Sequence, residues 1–239
     1  MEREANSLRL LAWNCRGALH KKMTHIQELS PDIAVISECG NETALADRYG
    51  YDFIWSGDKK GVAVLSRKNF LSERMEDDEI PLSHHVKAHL KGLRLNVMGI
   101  WTIGPGYSYK NYLIAQRNET FLRENIAIYC GDFNQNSIWD EHGKLSHCHL
   151  VQMLNDWKII SAYHYYFNER QGHEKLATFH MHGKKDKPYH IDFCFISEAL
   201  AKQIQSVKIG TYEDWIQTGL SDHVPITVDF NILPWIQQC

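Results

Sequence analysis

The sequence predicts a strand-rich α+β protein or a layered α/β sandwich, and three observations carry that expectation. Short apolar runs recur along the whole chain, only a few segments between them have helical spacing, and polar side chains repeatedly stand where the runs end. An apolar run of roughly four to eight residues bounded by Gly, Pro, Asn or Asp reads as a buried strand. A length of 239 residues suits one large domain with a substantial core, spanning residues 1–239. No repeat, low-complexity tract or linker interrupts it.

Composition excludes several classes. The 44% hydrophobic and 23% charged fractions are those of a globular protein. A net charge of −3 gives no bulk attraction to polyanions or anionic membranes, so any such contact has to be local. The first residues contain no apolar signal core, and no stretch approaches the ~20 apolar residues of a membrane span. Six cysteines show no CxxC spacing, and Cys15, Cys39, Cys130 and Cys194 lie in or beside strand-like runs. That pattern predicts reduced, buried thiols and a cytoplasmic location.

In chain order, Leu8–Trp13 is a strand that delivers Asn14. Lys21–Leu29 places Met23, Ile26 and Leu29 on one helical face, and Ser30-Pro31 stops it. Asp32–Ser37 is a buried strand ending at Glu38. Tyr51–Trp55 and Gly61–Ser66 flank the turn Ser56–Lys60. The run Glu76-Asp77-Asp78-Glu79 reads as a solvated loop, since like charges need water. Lys87–Leu90 and Leu93–Trp101 form a strand pair, Thr102–Tyr109 a loop and Asn111–Arg123 a helix.

Ile126–Cys130 is a buried strand stopped by Gly131 and followed by Asp132, Phe133 and Asn134. On an extended chain Asp132 and Asn134 share one face, with Phe133 opposite. Ser146–Trp157 is helical. Ile159–Tyr163, Ala177–His180, Ile191–Ile196, Val207–Thr211 and Pro225–Phe230 are strands, with a short helix over Glu198–Gln205. The tail from Asn231 lies on the surface or along an edge.

Chemistry collects at these strand ends. Glu38, Asp222 and Asn14 are hard oxygen donors of the kind that suits Mg²⁺ or Mn²⁺. Asp132 with Asn134 can hold and deprotonate a water. His223 titrates near neutrality and can handle protons or bond an anionic oxygen. Asp192 can orient that imidazole. No serine stands in a GxSxG turn, so no covalent nucleophile is indicated. Taken alone, GDFN reads first as a strand end turning into an Asx-type loop, and the alternative for Asp192 with His223 is a structural ion pair. It is their company that favours a site.

WNCRG, ISECG, GVAVLSR, YCGDFNQN, YHIDFCFIS and GLSDHVPI stand in the order and spacing of the endonuclease/exonuclease/phosphatase (DNase I-like) superfamily, which the sequence resembles from Leu8 to Phe230. The resemblance implies a four-layer α/β/β/α sandwich with two mixed sheets packed face to face. It implies Glu38 as principal metal ligand, with Asn14 on metal or phosphate and Asp222 as a metal-proximal carboxylate. Asp132 would position or deprotonate the attacking water and Asn134 would bond that water or the phosphate. His223, paired with Asp192, would stabilise charge on the phosphate or assist proton transfer. The cofactor implied is Mg²⁺ or Mn²⁺.

Two positions depart from the pattern. Trp101 stands where many relatives carry His or Tyr, and an indole donates one hydrogen bond but is no acid or base. Ser37 replaces the glutamine often found before the metal-binding glutamate. Around the motifs, Lys184 and Lys185 in the loop Gly183–Pro188, with Arg170 and Lys175, form a local cationic patch. It reads equally as a phosphate-backbone contact or a solvated hairpin tip. His190, two residues before Asp192, is expected on the same face and in contact with substrate. Tyr107, Tyr109 and Tyr112 can stack on bases or simply pack. Eight of the fourteen histidines fall between His142 and His190, at spacings that match no standard zinc ligand set.

The expectation is therefore a Mg²⁺/Mn²⁺-dependent phosphodiester hydrolase, a nuclease acting on DNA or RNA, with no membrane span and no obligate protein partner. One alternative is a phosphatase or phosphodiesterase on a small molecule or lipid head group, which the acidic net charge favours. Another is an inactive binding member of the family.

Overall fold

Apolar residues line both faces of most strands, so each strand has to be covered twice, and the chain meets that demand with two stacked sheets. The computed structural model describes residues 7–70, 72–75 and 84–231; the acidic run Glu76–Glu79 and the tail after Asn231 lie outside the described residues. The strands are β1 (Ser7–Asn14), β2 (Ile33–Cys39), β3 (Tyr51–Gly57), β4 (Gly61–Arg67), β5 (Ser72–Met75), β6 (His84–Leu90), β7 (Leu95–Trp101) and β8 (Ile126–Asp132). They continue with β9 (Ile159–Ser161), β10 (Phe179–His180), β11 (Pro188–Tyr189), β12 (Asp192–Ser197), β13 (Ile204–Ile209) and β14 (Ile226–Asn231).

One six-stranded sheet has the order β13-β14-β1-β2-β4-β3 and the other the order β5-β6-β7-β8-β12-β9; β10 and β11 form a separate ribbon. Both large sheets are mixed. The parallel pairs are β1 with β2 and β7 with β8. A parallel pair needs a crossover. The first is α1 (Met23–Leu29); the second comprises α3 (Tyr107–Arg117) and α4 (Glu119–Arg123), with α2 (Thr43–Arg48) lying between β2 and β3. The remaining helices are α5 (His147–Asp156), α6 (Ala162–Phe167), α7 (Glu198–Ala201) and α8 (Tyr212–Trp215).

Strand periodicity sorts the side chains into three cores. Leu10, Ala12, Val35, Val64, Val97, Ile128 and Cys194 meet between the sheets. Leu11, Trp13, Ala34, Ile36 and Leu65 face outward under Met23, Ile26 and Trp215 of α1 and α8. Met98, Ile100, Tyr129, Phe193 and Phe195 face the other way, under Ile114, Leu122 and Leu150 of α3, α4 and α5. The result is the expected α/β/β/α layering. Gly99 permits the close approach of the sheets, because a Cβ there would lie 3.0 Å from Val35 Cγ1 and 3.2 Å from Val62 Cγ2. Among the described residues no helix is long and apolar enough to cross a membrane. Cys15, Cys39, Cys130 and Cys194 are buried free thiols, and Cys148 is an exposed one.

The observed elements differ from the expectations at their ends. The predicted helix Asn111–Arg123 starts four residues earlier and breaks at Asn118, whose side chain donates back to Ile114 O at 2.9 Å. The expected strand Ile159–Tyr163 stops at Ser161 and becomes α6. The expected helix Glu198–Gln205 ends at Ala201, and strand resumes at Ile204. Helices α2 and α8 and the edge strand β5 carry too little periodicity to be read in advance.

Candidate active site

Four strand termini and one loop meet at a single edge of the sandwich. β1 ends at Asn14, β2 bears Glu38, β8 ends at Asp132, and β12 begins at Asp192 directly opposite Asp132. β14 runs antiparallel to β1, so the loop before it, Ser221-Asp222-His223, returns to the end of β1. There Ser221 Oγ donates to Asn14 O at 2.7 Å, and Trp13 Nε1 donates to His223 O at 3.1 Å.

Asn14 is the bridge between the sheets. Its Nδ2 donates to Asp132 Oδ2 at 2.7 Å and reaches Glu38 Oε1 at 3.2 Å, while Oδ1 accepts from Arg16 N at 2.9 Å. Asp132 also accepts from Asn134, through the backbone N–H on Oδ1 at 2.9 Å and through Nδ2 on Oδ2 at 3.0 Å. His223 Nδ1 lies 2.9 Å from Asp192 Oδ2, and its Nε2 lies 3.9 Å from Asp132 Oδ2. Thr178 Oγ1 accepts from both Ile191 N and Asp192 N at 3.0 Å, which fixes the start of β12.

Burial sets the electrostatics. Loss of water, then the neighbouring Asp192 charge, pushes the Asp132 carboxyl up to about 7. Burial by itself would push the His223 imidazole down, but the Asp192 and Asp132 charges outweigh it and hold it at about 9. The backbone reaches Asp132 through a glycine. Gly131 has φ +136°, and a Cβ on it would stand 2.1 Å from Ile100 O.

Left-handed backbone clusters here too. Arg16 (φ 52°), Glu38 (φ 58°) and Asn134 (φ 49°) are all non-glycine. Such conformations persist only where the surroundings enforce them. At Glu38 the cause is a register shift between β2 and β4 after Ser37, and the extra residue aims the carboxylate toward Asn14. Asn134 corrects the sequence argument in a useful way. It meets Asp132, but through a left-handed turn and not through the alternation of an extended strand. Phe133 does point away, into Tyr129, Phe193 and Phe195 at centroid separations of 5.0–5.6 Å.

Of the four residues expected to touch substrate, His190 is placed differently. His190 does not share a face with Asp192. It is buried with its Nδ1 2.8 Å from Leu176 O, and its ring packs on Tyr163 and Phe193, so the substrate-contact role is withdrawn. The reason is local: β11 ends at Tyr189 and β12 begins at Asp192, so residues 190 and 191 are not a continuous strand. Trp101 ends β7, in register with Asp132, and packs half-buried against the inter-sheet core. Lys184 and Lys185 are both exposed; Lys185 pairs with Glu213 at 2.5 Å and lies over the Tyr212 ring.

Asp222 is half-buried, with Oδ2 3.5 Å from Arg16 Nε. Glu38 Oε2 lies 2.8 Å from Lys60 Nζ. No motif marks these two cations, although Lys60 lies in the turn between β3 and β4 and Arg16 follows Asn14 by two. Thr178 and Phe179, which packs on His223 at 4.6 Å, also had no motif to mark them.

Two groups of side chains are chemically able to hold a cation. Ligand atoms of Asp132, Asp192 and His223 all lie within 4.8 Å of one another. That cluster is fully buried, and Asp132 and His223 Nδ1 are already engaged by Asn14, Asn134 and Asp192, so it suits an ion that retains several waters less well. Glu38 and Asp222 instead offer carboxylate oxygens at a partly open rim, with the buried Asn14 behind them turning its Nδ2 to Glu38. Lys60 and Arg16 already place positive charge beside both of these carboxylates. The rim therefore fits a hard divalent ion better than the buried trio does.

No family model matches the sequence, and no curated relative does. Solved structures match over nearly the whole chain. The 3'-5' exonuclease NExo from Neisseria meningitidis superimposes with a TM-score of 0.72 at 21% identity, covering 94% of this chain and 100% of that one. The chain carries the endonuclease/exonuclease/phosphatase fold. Two further proteins share it. An AP endonuclease from Archaeoglobus fulgidus gives a TM-score of 0.70 at 21% identity, with 94% and 100% of the two chains covered. A humanized D. rerio TDP2 gives 0.65 at 16%, with 95% and 100% covered. A second structure of NExo, described there as a 3' phosphatase, holds a product DNA hairpin. This fold puts its parallel strand ends and the two loops before β12 and β14 at one edge, where the side chains described above are gathered.

Proposed function

We propose that the chain is a divalent-metal-dependent phosphodiester hydrolase that cleaves nucleic acid. The observation that carries this reading is the convergence of Asn14, Glu38, Asp132, Asn134, Asp192 and His223 on one sheet edge, through Asn14 Nδ2, which contacts Glu38 and Asp132 at once. Two neighbours in this fold, NExo, described as an exonuclease and as a 3' phosphatase bound to DNA, and an AP endonuclease, support the substrate class. An aromatic wall supports it as well. From His223 it runs through Phe179 and Tyr189 to Trp139, whose ring lies 5.3 Å from that of Tyr189 and is 44% exposed. Such faces stack on bases without reading sequence.

Each residue has a role the geometry can supply. Asp132 takes the proton of the attacking water; the Asn14 and Asn134 amides hold its carboxylate so that one lobe is directed at the pocket. Asn134 also donates to Thr102 O at 3.0 Å, which fixes the amide. His223, kept protonated by Asp192, presents Nε2 toward the phosphate and stabilises the charge that grows there. Glu38 and Asp222 would hold Mg²⁺ or Mn²⁺, with Asn14 orienting Glu38 through its amide. When bound, that ion polarises the phosphoryl oxygen and favours departure of the leaving oxygen. Trp101 supplies no acid at the pocket. The chain operates as one domain, and its buried free thiols fit a reducing, cytoplasmic setting.

The test is a substrate panel of plasmid, single-stranded DNA, RNA and a generic bis-phosphodiester, with Mg²⁺ or with EDTA. Cleavage of nucleic acid that EDTA, Asp132→Ala and His223→Ala each abolish is the expected result. Hydrolysis of the small diester without any nicking would select a small-molecule phosphodiesterase, which the net charge of −3 favours. Inertness throughout would leave a binding protein.

A further inference from the structure

The β3–β4 hairpin places a lysine on the proposed metal-binding glutamate. Its turn is closed by Gly57 and Gly61, which face each other in register. A Cβ on Gly61 would lie 2.0 Å from Ser56 O, and one on Gly57 2.5 Å from Gly61 Cα, so the turn is too tight to admit either. Trp55 Nε1 donates to Cys39 O at 3.1 Å and anchors the hairpin to the end of β2. From this base the Lys60 stem crosses the Asn14–Gly17 turn, with Cε 3.4 Å from the position of a Cβ on Gly17. It delivers Nζ to Glu38 Oε2 at 2.8 Å.

The two Glu38 oxygens are thus both engaged, one by Asn14 and the other by Lys60. A divalent ion that takes this carboxylate meets the ammonium already there, and the two positive charges repel each other at that distance. Lys60 is 46% exposed on its side chain, and rotation about its four-carbon stem lets the ammonium leave. The hairpin that carries it cannot, and so the released ammonium stays at the pocket mouth.

We propose that Lys60 is an exchangeable counter-cation, which neutralises Glu38 until a divalent ion binds and then turns to a phosphate oxygen of the substrate. The proposal rests on the metal-dependent reading of this site and adds a linkage to it. Metal binding frees a substrate-binding charge, and an anionic substrate holds that charge away from the metal site. Each ligand therefore raises the affinity of the other by the same factor. The pair is partly solvent-screened, so the coupling is a factor of about 3–10.

Mn²⁺ binding measured by calorimetry, and binding of a phosphorothioate oligonucleotide that resists cleavage, test it without turnover. Lys60→Met should bind Mn²⁺ about 3–10-fold more tightly than the wild type, because the competitor is gone. With saturating Mn²⁺ the same variant should bind the oligonucleotide about 3–10-fold more weakly, and in EDTA with unchanged affinity. Lys60→Arg, which keeps a charge on the same hairpin, should retain the coupling and controls for folding. Unchanged or weaker Mn²⁺ binding by Lys60→Met, with the wild type binding normally, overturns the role of Lys60 and leaves the metal site standing. Failure of the wild type to bind Mn²⁺ removes both.

Discussion

Asn14 on one sheet and Asp132 on the other are joined by a hydrogen bond of 2.7 Å, and that bond closes the sandwich at the edge where its polar side chains collect. Both residues are buried, so breaking this bond would leave two polar groups short of a partner. An amide suits this place better than an acid. Its N–H₂ donates to Asp132 and Glu38, while its oxygen accepts from Arg16 N.

Asn14→Ala removes a donor from Asp132 and from Glu38 together. The expected loss in kcat is about 10²–10³-fold, the range for deleting one preorganised donor. Asn14→Asp should do worse, since it sets two buried carboxylates against each other. Steady-state kinetics on the cleaved substrate, with thermal melts to confirm folding, measure both.

Asp192→Asn keeps the shape beside His223 but removes its charge. The imidazole should titrate well below its present value of about 9, because the largest force holding it up is lost. An NMR titration of the metal-free protein reads that shift directly. Activity should fall about 10²–10⁴-fold with KM little changed.

His147 gives the fold an acid-sensitive point away from the site. It packs under Phe193 at 4.7 Å, and burial pulls its imidazole down to about 4. In the unfolded chain it titrates near ~6.5. Between those values the unfolded state binds the extra proton, so stability is full above the higher value and is lost as the pH falls toward the lower. The loss is on the order of 2–3 kcal/mol. Urea melts between neutral and acid pH should show this slope, and His147→Gln should flatten it.

Gly131→Ala tests the approach of β8 to β7. The new methyl would meet Ile100 O at 2.1 Å, on a backbone with φ +136°. The expected cost is about 3 kcal/mol or more, since steric overlap and left-handed strain add. Urea denaturation measures it; a loss below about 1 kcal/mol would show that the strands can part here without cost.

How much of this was legible in the sequence follows from the range over which each signal acts. Strand periodicity is local, so Leu8–Trp13, Asp32–Ser37 and Ile126–Cys130 were readable, as was their habit of ending in Asn14, Glu38 and Asp132. The motifs around Asp192 and His223 were readable for the same reason. Their chemistry sits within a few residues of a strand. His190 was misplaced because period-two alternation was extended across two residues that are not in a strand. Asn134 reached the expected partner by a turn that its own side chain helps to stabilise, a conformation that asparagine tolerates.

By itself, the order of residues determined the two-faced strands, and hence two stacked sheets covered by helices, and it determined which acids, amides and imidazole stand at strand ends. Tertiary structure alone decided which of those ends share an edge and what surrounds them. It was the pairing of β14 with β1 and of β12 with β8 that set His223 beside Asp192, and burial among charged neighbours that moved Asp132 and His223 away from their ordinary titration. Lys60 and Arg16 found their carboxylates in the same way. Sheet register, loss of water and the approach of distant charges depend on contacts between residues far apart in the chain, and no local pattern encodes them.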